Sequence, residues 1–176
     1  SPGSYATTDE MGEVASVLKE FDGVFTIHVR NESDHLIESI EEAIQIAEKG
    51  GITLHVSHLK AGGRPNWGKV HGALAVMEEA RGRGVNVTFD AYPYNASMTT
   101  ITALLPPWTL EGGVGRMLSR LADPGKREAI KSDLQAVSTG FENWVKNVGW
   151  ANIMIAGCPP ERKYEGMTLE DILGER

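Results

Sequence analysis

Val24 to His58 reads VFTIHVRNESDHLIESIEEAIQIAEKGGITLHVSH. A short run rich in β-branched residues, VFTIHV, opens it. In SDHLIESIEEAIQIAEKGG that follows, Leu36, Ile40, Ile44 and Ala47 fall on one helical face. Gly50-Gly51 supplies the helix stop, and ITLHVSH reads as a second strand. Two strands joined through a helix imply parallel pairing, because a crossover brings the chain back to the same end of the sheet.

The rhythm extends both ways. Upstream, TTDEMGEVASVLKEF carries Thr7 and Glu10 at capping-box spacing, then Met11, Val14, Val17, Leu18 and Phe21 on one predicted face. Downstream, a helix from about Lys69 to Arg83 lines up Val70, Ala73, Leu74, Met77 and Ala80, and VNVTFD forms a third strand. The expected parallel strands are residues 24–29, 52–58 and 85–90, with helices on one face. Such βα units suit either a doubly wound sheet or a TIM barrel.

After YPYNASMTTITALLPPW the rhythm changes. From about Thr109 to Trp150 the chain reads as helices without strands, including GRMLSRLADP and PGKREAIKSDLQAV. NIMIAGCPP (Asn152 to Pro160) reads as strand or extended, and MTLEDIL starts a helix with Thr168 and Asp171 at a capping distance. The expected organisation is therefore central βα units over 1–108, a small helical insert over 109–150, and a return to the first architecture over 151–176.

Composition bounds the function. A hydrophobic content of 41% and a charged content of 23% are those of an ordinary globular chain of 176 residues. A net charge of −7 argues against nucleic-acid partners. No stretch approaches the roughly 20 apolar residues of a membrane span. The single cysteine, Cys158, leaves no internal disulfide, which fits a reducing, cytoplasmic compartment.

The strand ends carry the chemistry. The first ends in His28, Arg30 and Glu32, the second in His58 and Lys60, and the third in Asp90, Tyr92 and Tyr94. In parallel α/β folds, the carboxyl ends of the strands form the functional face. Alternation places His28 on the face away from the helices, together with Val24 and Thr26. On the third strand it places Asn86, Thr88, Asp90 and Tyr92 there. On the second strand alternation favours His55 over His58, unless a bulge reorients His58. A bland reading stands beside this one. Strand histidines commonly serve as hydrogen-bonded side chains, Arg30 and Lys60 suit solvated loops, and tyrosines pack around turns. His35 and His71, at helix starts, read as solvent-facing. Convergence favours the site, since paired imidazoles anchor zinc, and Lys, Arg and Tyr anchor carboxylates.

Four stretches, HVRNESDHLIESIEEAIQIAEKGG, HVSHLKAGGRPNWGK, FDAYPYNAS and LLPPW, in this order resemble the N-acyl-D-amino-acid deacylase (D-aminoacylase) branch of the amidohydrolase superfamily. SPGSYATT and IAGCPP resemble it too. The resemblance implies a metal-dependent TIM (β/α)8 barrel with a small insert. Its activity would be hydrolysis of an N-acyl-D-amino acid to a carboxylate and a free D-amino acid. It makes His28 and His58 zinc ligands, in preference to His55, and assigns Lys60 and Tyr92 to the substrate, Lys60 meeting its carboxylate. The family also uses a His-x-His pair, a metal-bridging cysteine and an aspartate general base. No His-x-His occurs here, and Cys158 lies outside the ligand motif. The expectation is an internal segment, about the middle third of a longer enzyme, whose catalytic base lies elsewhere and whose open barrel edges admit pairing with another copy. Two other readings are a cyclic-amide hydrolase of the dihydroorotase and hydantoinase kind, which YPYNAS disfavours, and a metal-free α/β binding or scaffold domain.

Overall fold

The structure is a computed structural model that describes residues 2–136 and 140–174. The chain divides into two compact units, Ser1–Pro93 and Tyr94–Arg176.

The first unit is built on helix α1 (Thr8–Ser16), strand β1 (Val24–Ile27), helix α2 (Leu36–Gly50), strand β2 (Thr53–Val56), helix α3 (Lys69–Gly82) and strand β3 (Val87–Phe89). The strands pair in parallel in the order β1-β2-β3. Val24 lies opposite Thr53 and Ile27 opposite Val56, while Leu54 lies opposite Val87 and Val56 opposite Phe89. The α/β class and the parallel pairing are as expected from the sequence. Each strand is shorter than its predicted span, and the described residues form an open three-stranded sheet.

One face of that sheet holds the core. Leu54, Val56 and Val87 are sealed against Leu36, Ile40, Ile44 and Ala47 of α2 and against Ala73, Met77 and Ala80 of α3. Both predicted helix faces are thus the buried ones. Gly51 takes the left-handed conformation at φ 62° and closes α2, its amide donating to the carbonyls of Ala47 and Glu48. The other face of the sheet carries Thr26, His55 and Thr88 side by side in register.

The first predicted helix face holds in part: Met11 and Leu18 pack against the core. The capping box forms, with Thr7 and Glu10 bonding reciprocally, yet Val14, Val17 and Phe21 are exposed while Gly12 and Ala15 are buried. The reason is closeness. A Cβ at Gly12 would stand 3.3 Å from the Cβ of Lys49, so α1 packs on α2 through its smallest residues. Hydrophobic periodicity weights large side chains and misses a contact made by small ones.

In the second unit, helices α4 (Gly113–Ala122) and α5 (Pro124–Gln135) flank Asp123, which ends one helix and caps the next by accepting from the Lys126 amide at 2.9 Å. Met117 and Ile130 are their buried residues. Val137, the last residue of the predicted second helix run, lies outside the described residues. Asn143 caps the short helix α6 (Trp144–Val148). NIMIAGCPP starts at the last residue of a 3-10 turn, Trp150–Asn152, forms one isolated antiparallel bridge, Met154 to Thr168, and turns at Pro159 and Pro160. Thr168 and Asp171 then bond reciprocally, through amide-to-side-chain bonds of 2.9 and 3.1 Å, and start helix α7 (Leu169–Gly174).

Candidate metal and carboxylate site

The carboxyl ends of β1 and β2 bring His28 and His58 together. Nδ1 of His28 faces Nε2 of His58 in direct contact, and the ring centroids lie 4.4 Å apart. His28 arrives by plain alternation, one residue beyond β1 on the face away from the helices.

His58 arrives by a bulge. In a regular parallel ladder Asp90 would receive its amide bond from the residue two beyond the one whose carbonyl it contacts. The Asp90 amide donates to the Val56 carbonyl at 3.1 Å, but the Asp90 carbonyl accepts from Leu59 at 2.9 Å, one residue later than regular pairing requires. His58 is the extra residue. It sits at φ 44°, in the left-handed region that histidine enters more readily than most side chains. Its amide, displaced from the ladder, donates to Oδ1 of Asp90 at 2.8 Å. The inserted residue also shifts parity, so that Leu59 drops into the core.

His55 has a different task. Its ring bridges Thr88 Oγ1 and Asp90 Oδ2, both at 2.8 Å. Strict alternation put His55 forward; the structure holds it on neighbouring side chains and turns the ring of His58 toward His28. The bond from His55, and then the amide of His58, hold the Asp90 carboxyl below the ordinary aspartate range.

Lys60 completes the cluster. Its ammonium donates to the His58 carbonyl at 3.0 Å, lies 2.6 Å from Glu32 Oε1, and stands 5.6 Å from the centre of the Tyr92 ring. The same Glu32 oxygen is 2.7 Å from His58 Nδ1. Thus His28, His58, Lys60 and Tyr92 are near neighbours. Tyr94 is 75% exposed. Arg30 points elsewhere. It pairs with Glu42 at 2.7 Å and donates to the carbonyls of Gly3 and Ala6, tying the opening segment to α2. His35 is exposed beside Glu38, as expected of a helix start.

Among the described residues, no group of three or more His, Cys, Asp or Glu side chains is arranged to hold a metal ion. The cluster offers two imidazoles. A separate hollow in this unit opens at the amino ends of the strands, beside Ile52, Thr53, Val85 and Asn86, away from these groups.

Comparison with known proteins agrees with the strand-end motifs. No family model matches the chain. Over 100 residues, 57% of its length, the chain is 35% identical to D-aminoacylase of Alcaligenes xylosoxydans xylosoxydans. Over the same extent it is 34% identical to N-acyl-D-glutamate deacylase of that organism. The matches span 20% of each of these relatives. Among solved structures, it superposes on N-acyl-D-glutamate deacylase from Bordetella bronchiseptica, complexed with zinc and a phosphonate mimic of the tetrahedral intermediate. The TM-score is 0.68 at 27% identity, covering 99% of this chain and 28% of that one. The resemblance drawn from the sequence is borne out. Among the described residues no helix is long and apolar enough to cross a membrane.

Proposed function

We propose that this chain is part of a zinc-dependent hydrolase that cleaves N-acyl-D-amino acids to a carboxylate and a free D-amino acid. The observation that carries the reading is the meeting of His28 Nδ1 and His58 Nε2 across two adjacent strand ends, with the Lys60 ammonium immediately behind. Two facing imidazole nitrogens form a donor set suited to zinc. His28 and His58 would hold the ion. When bound, zinc polarises a carbonyl and brings the pKa of a bound water to about 7.

The chain's own residues supply orientation. The Lys60 ammonium, beside Glu32 and the His58 carbonyl, is the cation that would meet the carboxylate of an amino acid. Tyr92 walls the same spot with its ring. Gripping that carboxylate fixes which amide is presented to the metal. Two imidazoles are fewer than the three protein ligands of a catalytic zinc site, so the pair would be part of a larger ligand set. The three strands would be part of a TIM barrel, with 1–108 as barrel units, 109–150 as a helical insert and 151–176 as a return to the barrel. The polar face bearing Thr26, His55 and Thr88 would then look into the barrel.

The test is the zinc content of the full-length protein. His28→Ala and His58→Ala should each lower bound zinc and abolish turnover together. Full zinc occupancy in both variants would sink the reading.

A further inference from the structure

We infer that Asp90 is a positioning residue for the site: its side chain holds the bulge that presents His58, and so sets the metal affinity of a histidine on the neighbouring strand. The inference rests on the reading of His28 and His58 as zinc ligands just given.

The backbone defines the need. In regular pairing the Asp90 carbonyl would accept from His58. It accepts from Leu59 instead, at 2.9 Å, and the His58 amide loses its place in the ladder. A displaced amide is costly unless another group accepts from it. Oδ1 of Asp90 does so at 2.8 Å. His58 also stands at φ 44°, a conformation that a residue with a Cβ keeps only where its surroundings impose it. Asp90 imposes it from two sides, its carbonyl fixing Leu59 and its side chain fixing His58.

Asp90 is itself oriented. Its Oδ2 bonds Nε2 of His55 at 2.8 Å, and the other ring nitrogen of His55 bonds Thr88 Oγ1 at 2.8 Å. A line of side chains across the polar face of the sheet, from Thr88 through His55 to Asp90, therefore ends on the backbone of His58. Both carboxyl oxygens of Asp90 are turned to protein groups. Among the described residues no three His, Cys, Asp or Glu side chains are arranged to hold one metal ion, so Asp90 is no third ligand beside His28 and His58. It acts through the orientation of His58.

The experiment uses full-length protein carrying Asp90→Ala or Asp90→Asn, with zinc affinity measured by chelator competition and folding checked by urea unfolding. Asparagine keeps an acceptor oxygen for the His58 amide and can turn its NH2 to the His55 ring, so it preserves the bulge without the charge. Asp90→Ala should weaken zinc binding by about 10–100-fold, the scale for losing a group that orients a metal ligand. Asp90→Asn should restore most of that affinity, and being isosteric it keeps the test open should Asp90→Ala not fold. Zinc binding by Asp90→Asn as weak as that of a ligand variant such as His58→Ala would overturn the inference, since charge and not geometry would then set the affinity. Unchanged zinc affinity in Asp90→Ala, alongside zinc loss in His58→Ala, would overturn it and leave the proposed function standing. Unchanged zinc affinity in His58→Ala would overturn both.

Discussion

Lys60→Ala separates two kinds of loss that the geometry places in one side chain. Lys60 lies 2.6 Å from Glu32 and donates to the His58 carbonyl at 3.0 Å, and under the proposed function its ammonium also meets a substrate carboxylate. Truncation therefore removes a contact to substrate and also takes the cation away from the largely buried Glu32 oxygen. Removing one partner of a buried, hydrogen-bonded charge pair typically costs about 2–4 kcal/mol. That corresponds to a drop of about 30- to 900-fold in kcat/KM. The assay compares an N-acyl-D-amino acid with an N-acyl amine of the same side chain that lacks the carboxylate. Damage to positioning lowers both rates alike, whereas the missing substrate contact lowers only the first. The expected result is a large loss on the amino acid, a small one on the amine, and zinc content retained. Equal losses on the two substrates would refute the assignment of Lys60 to the substrate carboxylate. Loss of zinc from Lys60→Ala would refute the separation of metal and substrate roles.

Other outcomes follow from the same contacts. His55→Ala should leave zinc bound in the full-length protein, because the Asp90 contact to the His58 amide survives; zinc loss from His55→Ala with retention in His58→Ala would reverse the assignment. The 176-residue chain alone, with zinc added, should turn over no N-acetyl-D-amino acid, since among the described residues no group of three or more His, Cys, Asp or Glu is arranged to hold a metal ion; turnover by a contaminant-free preparation would contradict this. Gly12→Val should destabilise the first unit by about 1–3 kcal/mol, read by urea unfolding, because its Cβ would crowd Lys49 3.3 Å away; an unchanged midpoint would refute the close α1–α2 contact. The bonds from Thr7 hold the Glu10 carboxyl below the ordinary glutamate value, so its cap should be intact above about pH 4.3 and be lost as the pH falls through the lowered folded-state value. Glu10→Gln should remove that acid dependence from the α1 amide signals, and persistence of the dependence would refute the assignment.

The fold was legible where large side chains do the packing. Leu36, Ile40, Ile44 and Ala47 announce a helix face by spacing, and they are the residues sealed against β2. Gly51 announces its own turn, since φ 62° suits a residue without a Cβ. Legibility fails where packing depends on what is absent. Gly12 and Ala15 make the α1 contact because they are small, so the larger Val14 and Phe21 misdirect a periodicity reading. Arg30 fails for another reason. Its type and strand-end position suggest anion binding, but its partners Gly3, Ala6 and Glu42 are far away in sequence and nothing local marks them.

The site was legible to within one residue, and that residue carries the physics. Alternation along ITLHVSH assumes that pairing stays regular to the end of the run, and under that assumption His55 and Ser57 face the polar side. The assumption breaks at Asp90, on the neighbouring strand, some thirty positions away in the sequence. Its carbonyl takes the Leu59 amide, and its side chain takes the His58 amide, so one residue is squeezed out of the ladder. The squeeze serves both faces at once. Leu59 regains the buried parity of Leu54 and Val56, and His58 is released toward His28. His55, deprived of that direction, closes on the other oxygen of Asp90 and steadies the carboxylate that made the turn. A bulge of this kind is specified by a side chain on the next strand. A reading confined to one strand can foresee that a histidine will be presented, but the choice of histidine belongs to its neighbour.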